Sequence, residues 1–85
     1  MINYNYIMNE KELNKLVGKN IKKYRLLYNQ NNCKMTQEQL AEAINVSTTL
    51  ISSLESEKSN KGISIDNLYK IATVLNVPIN NFFEE

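Results

Sequence analysis

The sequence predicts an all-α domain of five helices, and three observations carry that prediction. Apolar residues recur at three- and four-residue steps over most of the chain. Hydroxyl residues with the chemistry of a helix N-cap stand at the head of successive runs, at Thr36, Ser47 and Ser64. No segment alternates apolar and polar residues for long enough to build a sheet.

Residues 1–9 are polar with Ile2, Tyr4, Tyr6, Ile7 and Met8 interleaved, and read either as a frayed arm or as a short strand pairing with a second chain. We set residues 1–12 apart as an N-terminal arm and assign 13–85 to one helical domain. A helical pattern begins near Asn9. Leu13, Leu16, Val17, Ile21, Tyr24 and Leu27 form its apolar stripe, with Lys15, Lys19, Lys22 and Lys23 turned away from it. The run Asn29-Gln30-Asn31-Asn32 ends this first helix. Thr36 opens the second, with Gln39 completing a capping box, and Leu40, Ala41 and Ile44 give it a buried face. Asn45 ends it, because Asn tolerates the left-handed backbone conformation better than any residue but Gly. From Ser47 runs a third helix, with Leu50, Ile51 and Leu54 on one side and Thr48, Thr49, Ser52 and Ser53 on the others. A loop, Lys58-Ser59-Asn60-Lys61-Gly62, leads to a fourth helix whose face is Ile65, Leu68, Ile71, Ala72 and Leu75. Val77-Pro78 stops that helix, and Pro78 suits the first turn of a short fifth one carrying Ile79, Phe82 and Phe83.

Eighty-five residues with 42% apolar content suffice for a single modest core and argue against disorder. The longest apolar runs are a few residues, too short to span a bilayer. The first residues lack the basic and apolar segments of a secretory signal, and a single cysteine cannot form an internal disulfide, so a reducing cytoplasm is the expected setting. Cys33 reads as a free loop thiol, with a redox role as the sharper alternative. Histidine is absent and one Cys cannot assemble a thiolate zinc site, which removes Ser-His and Cys-His catalysis and metal-activated water. Two glycines, Gly18 and Gly62, are too far apart for a phosphate-cradling loop. We therefore expect no enzyme, no cofactor and no metal. Net charge is only +1, but Lys19, Lys22, Lys23 and Arg25 cluster in one segment, with Lys34, Lys58 and Lys61 in later loops. A localised basic field suits phosphate even on a nearly neutral molecule.

Residues 36–56 form the informative unit, a helix-turn-helix. Two helices that cross at a tight turn need a small residue beneath the crossing, and Ala41 is there. The turn needs a positive φ, which Asn45 supplies. Leu40, Ile44, Val46, Ile51 and Leu54 point inward, leaving Thr48, Thr49, Ser52 and Ser53 as a short polar face. Such a helix can lie in a DNA major groove with its N-terminal end against the base edges.

The chain here resembles the Cro and phage-repressor (Xre-like) helix-turn-helix family from about Gly18 to Phe82. The resemblance is carried by Gly18-Lys19-Asn20-Ile21-Lys22-Lys23-Tyr24-Arg25, by Met35 through Ala41, by Val46 through Glu55, and by Leu68-Tyr69-Lys70-Ile71-Ala72 with Leu75-Asn76-Val77. It implies a five-helix, repressor-like DNA-binding domain that works as a dimer on a near-palindromic operator. It implies base contacts from Thr48, Thr49 and Ser53 with Ser52 beside them, and a phosphate contact from Gln37 at a helix start. It also implies backbone contacts from Lys58 and Lys61, and a structural ion pair between Arg25 and Glu55. The helix start at Ser47 joins the phosphate set, since free N–H groups and the helix dipole attract anions. Four departures stand out. About five extra residues lie between Arg25 and Met35, Asn45 replaces the usual Gly, and Glu57 stands where a Gly often ends the third helix. The fourth is that the reading face has no Arg, Lys, Gln or Asn, so bidentate contacts to guanine or adenine are missing from it.

Val77, Ile79, Phe82 and Phe83 are apolar enough to serve both as core and as a self-association surface, and we assign the homodimer interface to them. The expected function is a sequence-specific transcriptional regulator, repressor or autoregulator in kind because no activation segment follows the domain. A phage repressor, a restriction-modification controller, a developmental regulator and an antitoxin all fit. The rival reading is a protein-interaction module or antitoxin-like partner on the same scaffold, engaging a protein antagonist or co-regulator. The weak net charge and short reading side chains are its support.

Overall fold

The computed structural model describes residues 7–30 and 33–85; residues 1–6 of the arm or strand read at residues 1–9 lie outside the described residues. Among the described residues, four α-helices and one 3-10 helix make up the body: α1 (Glu10–Leu27), α2 (Gln37–Ala43), α3 (Thr48–Glu55), α4 (Ile65–Leu75) and the 3-10 helix Ile79–Phe83. The fifth helix expected from sequence is therefore not α-helical. Pro78 precedes it at φ −57° and ψ 135°, outside the helical region, and the run is only five residues, a length at which the tighter 3-10 turn is the usual form. Between α1 and α2, β1 (Asn29–Gln30) pairs antiparallel with β2 (Cys33–Lys34) in register Asn29 to Lys34 and Gln30 to Cys33. This small hairpin takes up the longer connection after Arg25, and two residues a side are too few to show any alternation in sequence.

Helix starts are set by side chains. Asn9 and Thr36 each form a complete capping box, with Glu12 and Gln39 respectively. Ser47 Oγ accepts the Leu50 N–H at 3.1 Å, and Ser64 Oγ accepts the Asn67 N–H at 3.1 Å. Two helix ends share one closure. Asn45 (φ 59°) and Asn76 (φ 57°) adopt the left-handed conformation. In each case the next residue's N–H reaches back five residues, Val46 to the Ala41 carbonyl and Val77 to the Ala72 carbonyl, both at 2.9 Å. Asn76 is thus the residue that turns the chain after α4, ahead of the Val77-Pro78 stop read from sequence. The end of α3 needs no such turn, since Ser56 is extended at φ −73°, which removes the demand for glycine at Glu57.

The core joins Val17 and Ile21 of α1, Leu40 and Ala41 of α2, Ile51 and Leu54 of α3, Leu68, Ile71, Ala72 and Leu75 of α4, with Ile44 and Phe82. Three residues read as core are not. Leu13 and Leu27, at opposite ends of the α1 stripe, are 37% and 66% exposed, because a rod of about 27 Å outreaches the short helices packed on it. Ile65 is 69% exposed because none of the described residues covers it in the first turn of α4. Gly18 lets α1 and α3 meet at backbone distance, and a Cβ there would meet the Leu54 carbonyl oxygen. Buried Asn20 ties α1 to the C-terminal segment, donating from Nδ2 to the carbonyls of Phe82 (2.9 Å) and Glu84 (2.8 Å). No described helix is long and apolar enough to cross a membrane.

Candidate nucleic-acid interface

Helix α3 is two-faced by construction. Ile51 and Leu54 are buried beneath it, Leu50 and Ser53 are half-buried at its edges, and Thr48, Thr49 and Ser52 are exposed. The Ser47 hydroxyl oxygen is occupied as the N-cap acceptor for Leu50, which leaves its hydrogen available to an acceptor outside the protein. Apart from that cap, the outward face carries three short hydroxyls, and two of them bring a methyl group.

The orientation of α3 is locked at its C-terminal end. Arg25 Nε donates to Glu55 Oε2 at 2.7 Å and Nη2 donates to Oε1 at 2.8 Å, a two-pronged pair whose side chains are 9% and 2% exposed. Arg25 Nη1 also donates to the Met35 carbonyl at 2.9 Å, and Gln37 Nε2 donates to Glu55 Oε1 at 3.0 Å. One carboxylate therefore holds together α1, the entry to α2 and the end of α3. Every buried side-chain polar atom among the described residues has a partner, so the charge is not stranded. Gln37, expected at a phosphate, sits at the first position of α2 with its side chain half-buried on this network.

Lys58 and Lys61 are both exposed in the loop after α3. The loop around them is fixed by short turns, with the Lys58 N–H donating to Ser56 Oγ (3.3 Å) and the Lys61 N–H to Ser59 Oγ (3.1 Å). It is also tied to α1, where Asn14 Nδ2 donates to the Asn60 carbonyl (3.0 Å) and Lys15 Nζ to the Glu57 carbonyl (3.1 Å). The residues expected at DNA thus lie at the start of α2, on the exposed side of α3 and in the loop that leaves it.

The self-association surface read from sequence needs one correction. Phe82 is fully enclosed, its ring edge-on to Tyr24 at 5.4 Å between centroids, so it is core and offers nothing to a second chain. Phe83 is 43% exposed, and Val77 and Ile79 are half-buried. Phe82 lies within the turn that Asn20 grips, which fixes its ring inward and leaves its neighbour outside.

Sequence reasoning passed over Gly18, Asn20, Asn14 and Lys15. Two of these carried a signal. A glycine inside a helix lowers its stability by about 1 kcal/mol relative to alanine and so asks for a packing reason. Asn20 interrupts the apolar stripe three residues after Val17 and one before Ile21. Asn14 and Lys15 carried none, since their partners are backbone carbonyls more than forty positions away.

Among solved structures, a hypothetical transcription factor (NHTF) from Neisseria is similar in fold, with a TM-score of 0.69 and 23% sequence identity over 93% of this chain and 83% of that one. Among curated proteins, none matches. A helix-turn-helix family model matches residues 21–82, which contain α2, α3 and α4 whole, together with Ile21 and Arg25 of α1 and with Phe82. The chain belongs to the Cro/C1-type helix-turn-helix family.

Proposed function

We propose that this protein is a DNA-binding transcriptional regulator that inserts α3 into the major groove of a specific duplex operator, acts as a dimer, and represses the promoter it occupies. The observation that carries this reading is the outer face of α3. Its exposed side chains are Thr48, Thr49 and Ser52, on a helix whose opposite side is sealed in the core and whose far end is clamped by the Arg25–Glu55–Gln37 network. A helix with short outward side chains can approach base edges closely, and its fixed orientation spares the ordering of a mobile reading element on binding.

Positioning falls to Gln37, Ser47, Lys58 and Lys61 at the sugar-phosphate backbone, while Thr48, Thr49, Ser52 and Ser53 read bases. Single hydrogen bonds from the hydroxyls, with Thr methyls against thymine methyls, supply direct readout in place of bidentate pairs, and DNA shape adds to it. Val77, Ile79 and Phe83 form the apolar contact between subunits, which sets two α3 helices about 34 Å apart on successive turns of the duplex. Binding-site selection from random duplexes tests specificity and symmetry together. A two-fold-related motif with half-sites about one turn apart, 10–10.5 base pairs, is the expected outcome; enrichment of no motif from a pool that the protein does retain would remove the base-reading role.

A further inference from the structure

We propose that the lysine row of α1, Lys15, Lys19 and Lys22, is a second rail for the duplex backbone, lying beside the groove that α3 enters. It rests on the reading of α3 as the groove-entering helix and extends the bound DNA surface onto an element to which neither the motif nor the loop lysines assign any contact. The three residues stand at i, i+4 and i+7, on one side of α1, and all are exposed. They line a single open depression of about 210 Å³ whose other wall is the last turn of α3 with Ser56 and Glu57.

Two residues lining that depression, Glu55 and Glu57, adjoin residues of the candidate interface. Glu55 accepts a hydrogen bond from Gln37 Nε2 through its carboxylate. Glu57 accepts Lys15 Nζ through its carbonyl, and its neighbour in the chain is Lys58. Through these two acids the row is one residue removed from the expected phosphate contacts Gln37 and Lys58. Charge favours a polyanion there. Glu55 is already neutralised by the two-pronged pair with Arg25, so Glu57 is the one lining acid left to offset three ammonium groups. Among the described residues, Lys19 and Lys22 make no ion pair or hydrogen bond through their ammonium groups. Spacing fits as well. Seven residues of helix cover about 10 Å, close to three phosphate steps of one strand at roughly 3.4 Å of duplex axis each.

A bland role competes with this one: cations near the end of α3 also complement the negative end of its dipole. The two roles differ in what they do to salt dependence. The test is the double variant Lys19→Gln, Lys22→Gln, which spares Lys15 because that side chain braces the loop. Affinity of wild type and variant is measured for the selected operator and for an unrelated duplex between about 50 and 200 mM salt. Loss of two phosphate contacts lowers the slope of log affinity against log salt by about 1.8, and weakens both duplexes by the same factor, about tenfold or more at 100 mM. The melting temperature and the ratio between the two duplexes stay as in wild type. An unchanged slope overturns the rail, and a fall in melting temperature with that unchanged slope assigns the row to the dipole of α3. Loss of operator preference alone also overturns it, because it would put these side chains at bases. Wild-type protein that retains neither duplex at low salt ends the DNA-binding reading and the rail together, whereas wild-type binding matched by the variant ends only the rail.

Discussion

Gly18 sits in the interior of α1, where alanine would ordinarily add about 1 kcal/mol of stability through helix propensity. The structure reverses that sign. A Cβ at position 18 would run into the carbonyl oxygen of Leu54 and lie 3.1 Å from its carbon. Both are backbone atoms of α3, so no flexible side chain can swing aside. Real Cβ atoms keep at least 3.0 Å from such neighbours, which obliges α1 and α3 to part by about 1 Å. A gap of that size forfeits roughly a quarter to a half of the contact energy along a packed seam. Here the seam contains Val17, Ile21, Ile51 and Leu54, all buried. Overpacking of this kind costs about 1–3 kcal/mol, and the rigid partner places it at the upper end. After the propensity gain, Gly18→Ala destabilises the domain by about 2 kcal/mol. For a domain of this size that lowers the melting temperature by roughly 10 °C, read by circular dichroism. A melting temperature equal to or above wild type would refute the close approach of the two helices.

Glu55→Gln removes the charge that neutralises Arg25 while keeping the shape. With the guanidinium left buried, it should destabilise by about 3 kcal/mol in urea titration; near-wild-type stability would mean that the pair is of no structural consequence. At Asn45, with φ 59°, Ala and Gly should act in opposite directions: Ala loses about 1 kcal/mol and Gly is neutral or better, and two equal urea midpoints would count against the turn. Adjacent phenylalanines should also divide. Phe82→Ala costs about 3–5 kcal/mol as a core deletion. Phe83→Ser shifts sedimentation towards monomer with stability changed by no more than about 0.5 kcal/mol. A Phe83→Ser protein that remains as associated as wild type would place the subunit contact elsewhere.

What could be read from residues alone was whatever local chemistry decides. Thr36, Ser47 and Ser64 cap helices because a hydroxyl satisfies an N–H three residues on, whatever surrounds it. Asn45 was legible for the same reason, as a residue that tolerates positive φ. Position on a helical stripe does not say how far the neighbouring helices extend, which is why Leu13, Leu27 and Ile65 keep the periodicity of core residues and yet face solvent. Phe82 and Phe83 are chemically identical neighbours, and only the grip of Asn20 on the C-terminal turn separates them. The braces that hold the loop to α1 run to main-chain carbonyls, groups every residue owns, so sequence gives them no mark. In the candidate site, residue types and helix phase identified the polar face of α3. The contact of Gln37 with Glu55 needed the fold that brings the two helix ends together.

Base reading by α3 is most directly tested by comparing operator and unrelated duplex affinities for the double variant Thr49→Ala, Ser53→Ala at one salt concentration. Each hydroxyl hydrogen bond contributes about 0.5–1.5 kcal/mol net, so losing two costs about 1–3 kcal/mol and should cut the operator preference by roughly five- to 150-fold. Affinity for unrelated duplex should stay within about twofold, since phosphate contacts are untouched. Undiminished preference in the variant would contradict the assignment, and would mean that specificity arises on some other surface of the protein.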